Sequence, residues 1–178
     1  MFNPIIDLFT QVCTKLEELK LTYMLTGSAA MSFYSLSRTT QDLDIVIELD
    51  EEDLTKFLAA FPNHYYHEPS ILQEICRRGM FNLIDHQTGY KIDFILRKNT
   101  KYAHVAFSRR IKNNELGESI WVIAIEDLII AKLQWIQDIY SDRQMNDIQN
   151  LLLDNKIDIL YLKNWISELK LKTYQIVL

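Results

Sequence analysis

A chain of 178 residues, 48% of them hydrophobic, is long enough to bury a real core in one domain or two small lobes, and too apolar for a disordered protein. A formal net charge of −5 argues against a bulk electrostatic nucleic-acid binder, while leaving room for a local basic groove. No apolar run approaches about 18 residues, so no membrane span is expected, and the two cysteines, Cys13 and Cys76, fit a reducing cytoplasm better than a disulfide framework.

In chain order, Asn3-Pro4 is an N-cap followed by Pro at the first helical position, and the apolar spacing from Ile5 to Leu19 predicts a helix to about Lys20. Acids lie in this helix and no basic leader precedes it, so it does not read as a signal peptide. Thr22–Leu25 predicts a short strand, broken by Gly27; the segment after it, from Ser28 to Leu36, predicts a helix. Asp42–Leu49 predicts a second strand, and Asp50 is a candidate cap for a helix that ends before Pro62. Residues 63–79 carry no clear pattern. Met80–Leu96 predicts a hairpin turning at Gln87-Thr88-Gly89. Lys101–Asn113 is ambiguous between helix and strand, and Ser119–Ala124 predicts a strand. Helices are expected near 125–140, 144–153 and 157–169. The expected organisation is an α/β part over residues 1–124, a short mixed sheet flanked by helices, followed by a helical lobe over 125–178.

The second strand opens with two carboxylates, although Asp is a poor strand former. Side chains alternate along a strand, so Leu43, Ile45, Ile47 and Leu49 share one face and Asp42, Asp44, Val46 and Glu48 the other. The same alternation recurs at Lys91–Arg97, where Asp93 falls on the face opposite Ile92, Phe94 and Leu96. If the two strands are neighbours, Asp42, Asp44 and Asp93 gather in one place and repel unless a cation compensates. Mg²⁺, or Mn²⁺ in its place, takes carboxylate and phosphate oxygens together. Gly27 allows close backbone approach, and Ser28 brings a hydroxyl to the start of a helix where a phosphate is favoured.

These residues resemble the nucleotidyltransferase superfamily, the DNA polymerase beta-like fold. Its motif is a hydrophobic residue, Gly and Gly or Ser, then an Asp-hydrophobic-Asp/Glu element, then a third acid between hydrophobics. Here Thr26 stands in the first hydrophobic slot, Gly27-Ser28 follows, thirteen residues intervene before Asp42-Leu43-Asp44-Ile45, and Ile92-Asp93-Phe94 is the third element. The segments Ser37–Leu49 and Ala124–Leu152 are similar to small bacterial abortive-infection toxin-type proteins of that superfamily. The resemblance implies metal-dependent transfer of an NMP from an NTP, ATP first among them, to a hydroxyl acceptor: a small molecule, tRNA or a protein. Asp42, Asp44 and Asp93 would be the catalytic, metal-holding acids, and Gly27, Ser28 and Lys132 would face the nucleotide, joined by Arg143 and Asp147. It also implies, as an alternative, a regulatory or toxin-type protein acting through an antitoxin-like partner.

Other residues have plainer readings beside functional ones. Lys132 interrupts the apolar stripe Ile125, Leu128, Ile129, Leu133, Ile136, either as a snorkelling lysine or as a cation for polyphosphate. Arg38 is a loop cation or a phosphate contact. His64 and His67 read as loop residues, since two histidines without further ligands do not make a zinc site; His86 and His104 read as structural. Arg109, Arg110 and Lys112 read as a solvated run, with a polyanionic acceptor as the alternative. Trp121, Trp135 and Trp165 read as core.

Overall fold

The computed structural model describes residues 4–34, 42–114, 119–174 and 176. Among them the first helix, α1 (Pro4–Glu18), leads into β1 (Tyr23–Thr26) and the single-turn α2 (Gly27–Met31). Then come β2 (Asp42–Ile47), α3 (Glu51–Ala59), β3 (His64–Tyr65), α4 (Glu68–Arg77), β4 (Met80–Asp85) and β5 (Lys91–Leu96). The chain continues through α5 (Lys101–Ser108), β6 (Ile111–Asn113), β7 (Ile120–Val122), α6 (Ile125–Asp138), α7 (Asp142–Leu151) and α8 (Ile159–Glu168). The strands form one mixed sheet of seven in the order β3-β4-β5-β2-β1-β7-β6. The β2–β5 and β1–β7 pairs are parallel and the rest antiparallel. This is the mixed α/β fold expected from the sequence.

Alternation decides the sheet's two faces. Leu43, Ile45 and Ile47 of β2 and Ile92, Phe94 and Leu96 of β5 are almost fully buried on one face. There Phe57 and Phe61 from the α3 region, Phe81 and Phe94 make edge-to-face, tilted and stacked contacts with ring centroids 5.0–6.1 Å apart. Lys15 of α1 lies over the Phe61 ring, so α1 packs on that side too. The opposite face carries the polar residues of β2 and β5 and looks toward α6. Tyr34 holds this side together: its hydroxyl donates to the carbonyl of Ile123, just before α6, over 2.5 Å.

Several local expectations change. The helix after Gly27 closes after five residues, and residues 35–41, with Arg38, lie outside the described residues. Residues 63–79 contain β3 and α4, and His67 caps α4 by accepting the Ser70 N–H through Nδ1 at 3.3 Å. His64 is a strand residue, buried beside Asp85, whereas His67 lies, as expected, in the loop between β3 and α4. The ambiguous stretch after Thr100 is both: α5, then β6. Asp50 sits at the N-cap of α3, but its carboxylate pairs with Arg78 at 2.7 Å and makes no cap bond. The two cysteines are not joined.

The basic run is solvated only at Lys112; Arg109 and Arg110 are partly buried. Arg109 donates through Nε to Asp127 at 2.9 Å and through Nη2 to Glu126 at 2.7 Å, and its guanidinium lies 3.7 Å over the Tyr161 ring. Arg110 and Lys112 lie over Trp121. Asp127 is fully buried and also accepts from Tyr102 and Tyr161, so this cluster ties α5, α6 and α8. Burial raises its carboxyl pKa against the pull of these donors. Trp121 and Trp165 pack on the core as expected, whereas Trp135 does not: it is 57% exposed.

Candidate active site

The register of β2 and β5 brings the acids together. Asp44 pairs with Asp93, and Asp42 with Lys91. In a parallel pair, partners in register project to the same face. Thr26 of β1 pairs with Asp44, and Asn82 of β4 with Asp93, so one polar row, Thr26-Asp44-Asp93-Asn82, crosses four strands. The apolar alternation of both strands sets this register, because a slip by one residue would turn the acids into the core.

At the end of β1 the chain turns through Gly27, whose φ is +64°. A Cβ there would stand 1.9 Å from Asp44 Oδ2. Glycine is thus required twice, by its conformation and by the carboxylate against it. Ser28 follows within α2, and both residues line a cleft of about 500 Å³ with Asp42, Asp44 and Asp93.

The acids differ in environment. Asp42 is exposed and Asp44 is half-buried. Burial pushes the Asp44 carboxyl from 3.8 up to about 6, helped by the charges of Asp93 and Asp42 and opposed by Lys91 and Lys132. Asp93 is only 6% exposed. Its Oδ2 receives Lys91 Nζ at 2.8 Å, while its Oδ1 is buried with no hydrogen-bond partner among the described residues. Among the described residues no group of three acid, histidine or cysteine side chains forms a ready ligand set for a metal. The donors nevertheless suit a hard cation: a buried carboxylate oxygen lacks a partner, and a neighbouring carboxyl resists ionising until positive charge arrives. Mg²⁺ commonly uses one or two protein carboxylates and takes its remaining oxygens from water and phosphate.

The far wall comes from α6 and α7. Lys132 is 4% exposed and lines the cleft, so it does not snorkel to bulk water. Its ammonium donates to Asp147 Oδ2 at 2.8 Å and to Gln144 Oε1 at 2.9 Å. Asp147 is itself buried and orients Lys132. Ser141 caps α7 by accepting the Gln144 N–H, and Ser141, Arg143 and Trp135 complete the wall. Sequence reasoning missed Trp135, Ser141 and Gln144. The available signal was helical spacing: Trp135 follows Lys132 by three residues and Ala131 by four, on the edge of the buried stripe.

A mixed sheet with a Gly-Ser turn beside two in-register acids, faced by a helix carrying a buried lysine, defines a protein of the nucleotidyltransferase fold. The chain belongs to the family described as nucleotidyltransferase of unknown function (DUF6036), whose model matches residues 3–177. No curated protein matches it in sequence. Solved structures share its fold at low identity. The antibiotic-resistance factor ANT(2'')-Ia in solution is 10% identical over 96% of this chain and 95% of that one, with a TM-score of 0.63. The lincosamide antibiotic adenylyltransferase LnuA, lincomycin-bound, is 14% identical over 84% and 96%, with a TM-score of 0.54. An antigenic nucleotidyltransferase-like protein from Paracoccidioides brasiliensis is 18% identical over 92% and 87%, with a TM-score of 0.55. Among the described residues no helix is long and apolar enough to cross a membrane.

Proposed function

We propose that this chain is a metal-dependent nucleotidyltransferase that moves an NMP from an NTP, ATP foremost, to a hydroxyl acceptor and releases pyrophosphate. The observation that carries the reading is the in-register pairing of Asp44 with Asp93 inside a cleft that also receives Lys132. Asp42, Asp44 and Asp93 hold Mg²⁺ in this reading, and the ion supplies positive charge for the phosphate oxygens. The acceptor oxygen bonds to the α-phosphorus as the bond to pyrophosphate breaks, and the Asp93 carboxylate takes the hydroxyl proton. Lys132 and the Ser28 hydroxyl hold the outgoing phosphates, and Asp147 keeps the ammonium aimed.

A small molecule is the favoured acceptor. Two same-fold structures have small antibiotics in their descriptions, lincomycin bound to LnuA and adenylyl-2''-tobramycin in a complex of ANT(2'')-Ia. A tRNA acceptor fits less well, because Arg109 is spent on Glu126 and Asp127 and the net charge is −5. The test is incubation with each labelled NTP, Mg²⁺ or Mn²⁺, and a cell extract fractionated into RNA, protein and metabolites. Label should enter the metabolite fraction and should not do so with Asp44→Ala. Label in no fraction from any NTP would overturn the proposal.

A further inference from the structure

We infer that Trp135 is the platform on which the nucleobase of the donor NTP stacks. The inference rests on the nucleotidyl-transfer reading and names the subsite for the base. Three tryptophans have three different fates. Trp165 is buried against Tyr102, and Trp121 is covered by Arg110 and Lys112. Trp135 is 57% exposed yet lines the cleft with the acids and Lys132. Leaving an indole in water at the mouth of a charged cleft forgoes the burial that most tryptophans obtain.

Its place along α6 selects the base over the phosphates. Lys132 and Trp135 are on one helix face, one turn apart, with a rise of about 4.5 Å between them. The cationic position meets the polyphosphate beside the carboxylates. The aromatic position, 57% exposed where Lys132 is buried, is the next one on the same wall. Ala131, one turn before Trp135, has only a methyl group on this wall, and Ile95 continues the sheet side past Asp93. The cleft therefore offers carboxylates and an ammonium for the phosphates and, one helix turn from the ammonium, an exposed indole for the ring, with Ser141, Arg143 and Gln144 on the same wall. An indole holds any base by its π-face, so this subsite favours ring area over base edges, and purines over pyrimidines.

The test uses the full chain with Mg²⁺ and two ligands: a nonhydrolysable ATP analogue, and tripolyphosphate, which has no base. Calorimetry is run on wild type, Trp135→Phe and Trp135→Ala. The Ala variant should lose about tenfold or more in affinity for the ATP analogue, while Phe stays within about threefold and tripolyphosphate binds all three alike. Wild-type tryptophan fluorescence should be quenched by the ATP analogue, and the quench should vanish in the Phe variant although binding persists. Undiminished ATP-analogue affinity in Trp135→Ala would overturn the base platform alone. An equal loss of tripolyphosphate affinity would do the same, since the indole would then act on the phosphate end. Failure of wild type to bind either ligand would overturn this inference together with the transferase reading.

Discussion

Gly27 and Asp44 are packed so closely that the carboxylate occupies the space where a side chain on residue 27 would begin, 1.9 Å from an ideal Cβ. The strand pairing of Thr26 with Asp44 fixes this approach from the backbone. Rotation about its side-chain bonds can swing the Asp44 carboxylate aside, but the Asp44 Cβ, 2.9 Å from the same point, moves only with the backbone, and the turn at Gly27 cannot move without β1. Gly27→Ala should therefore cost about 1–2 kcal/mol from the left-handed backbone, more where β1 and β2 must part to admit the methyl, and remove most transfer activity by turning Asp44 away. Melting curves and NMP-transfer assays check both. A variant that is mildly destabilised yet fully active would show that Asp44 need not stand where it does.

Asp44 itself should weaken the protein without ligand. Its folded pKa of about 6 lies above the ordinary 3.8, so the folded state prefers the neutral acid. The resulting cost is fully present above about pH 6, shrinks as pH falls from about 6 to about 4, and is absent below. At neutral pH Asp44→Asn should melt at the same temperature as wild type or higher, and should flatten the ligand-free stability profile between about pH 4 and 6. With Mg²⁺ and a nonhydrolysable NTP the order should reverse. A ligand at 100 times its dissociation constant stabilises by about 2.7 kcal/mol, and the variant should lose most of that. A ligand-free form clearly weakened by Asn, with the ligand shift intact, would exclude the metal role.

Metal affinity should follow the same titration with the opposite sense. A bound cation requires the ionised carboxylate, so binding releases the proton that Asp44 carries below about pH 6. Mn²⁺ titrations should show affinity nearly level above that pH and falling about tenfold per pH unit below it. A flat profile down to pH 5 would place the metal on other groups.

The Arg109 cluster predicts a stability effect far from the cleft. Asp127 is fully buried and Arg109 is its cationic partner at 2.9 Å. Arg109→Ala leaves that carboxyl with two tyrosine hydroxyls only. The cost should be about 2–3 kcal/mol, toward the lower end for a pair with one partly exposed member, or about 5–10 °C in Tm for a chain of this size. Thermal unfolding against Arg110→Ala, which lacks the acid contacts, gives the control. Equal effects of the two variants would mean that the ion pair does not hold α5 to α6.

The centre of the polar row, Asp44 beside Asp93, was legible in the sequence because β2 and β5 alternate cleanly and place each Asp on the face opposite Ile45 and Phe94; its ends, Thr26 and Asn82, come only from the strand pairing. The hairpin was legible from Gly89, whose φ is +71°. β3 and α4 were not, since a strand of two residues carries no period and α4 is capped by a histidine, outside the usual Ser, Thr, Asp and Asn. The engagement of Arg109 was hidden because its partners lie 17 and 18 residues away and only the fold brings them close. Trp135 was misread because large aromatics usually belong to the core, a default that ignores its position one edge away from the stripe of Leu128, Ile129, Leu133 and Ile136.

Lys132 and Asp147 give the sharpest separation of scaffold from function. They form a buried pair at 2.8 Å on the wall facing the acids, and either role, structural or phosphate-binding, explains why a lysine lies there. Removing one partner takes the opposite charge away from a buried group, so Lys132→Met and Asp147→Asn should each destabilise, by about 3 kcal/mol. Removing both with apolar residues of similar size, Lys132→Met with Asp147→Leu, should recover most of the lost stability, because the two desolvation costs disappear together. Nucleotide affinity should behave otherwise. The double variant has no ammonium to meet the phosphates, so its affinity for a nonhydrolysable NTP should stay as low as that of Lys132→Met. Asp147→Asn keeps the lysine but loses the group that aims it, and should fall between these and wild type. If the stable double variant bound the nucleotide as wild type does, Lys132 would be a partner for Asp147 only, and the phosphate end of the cleft would have to be assigned to Ser28 and Arg143.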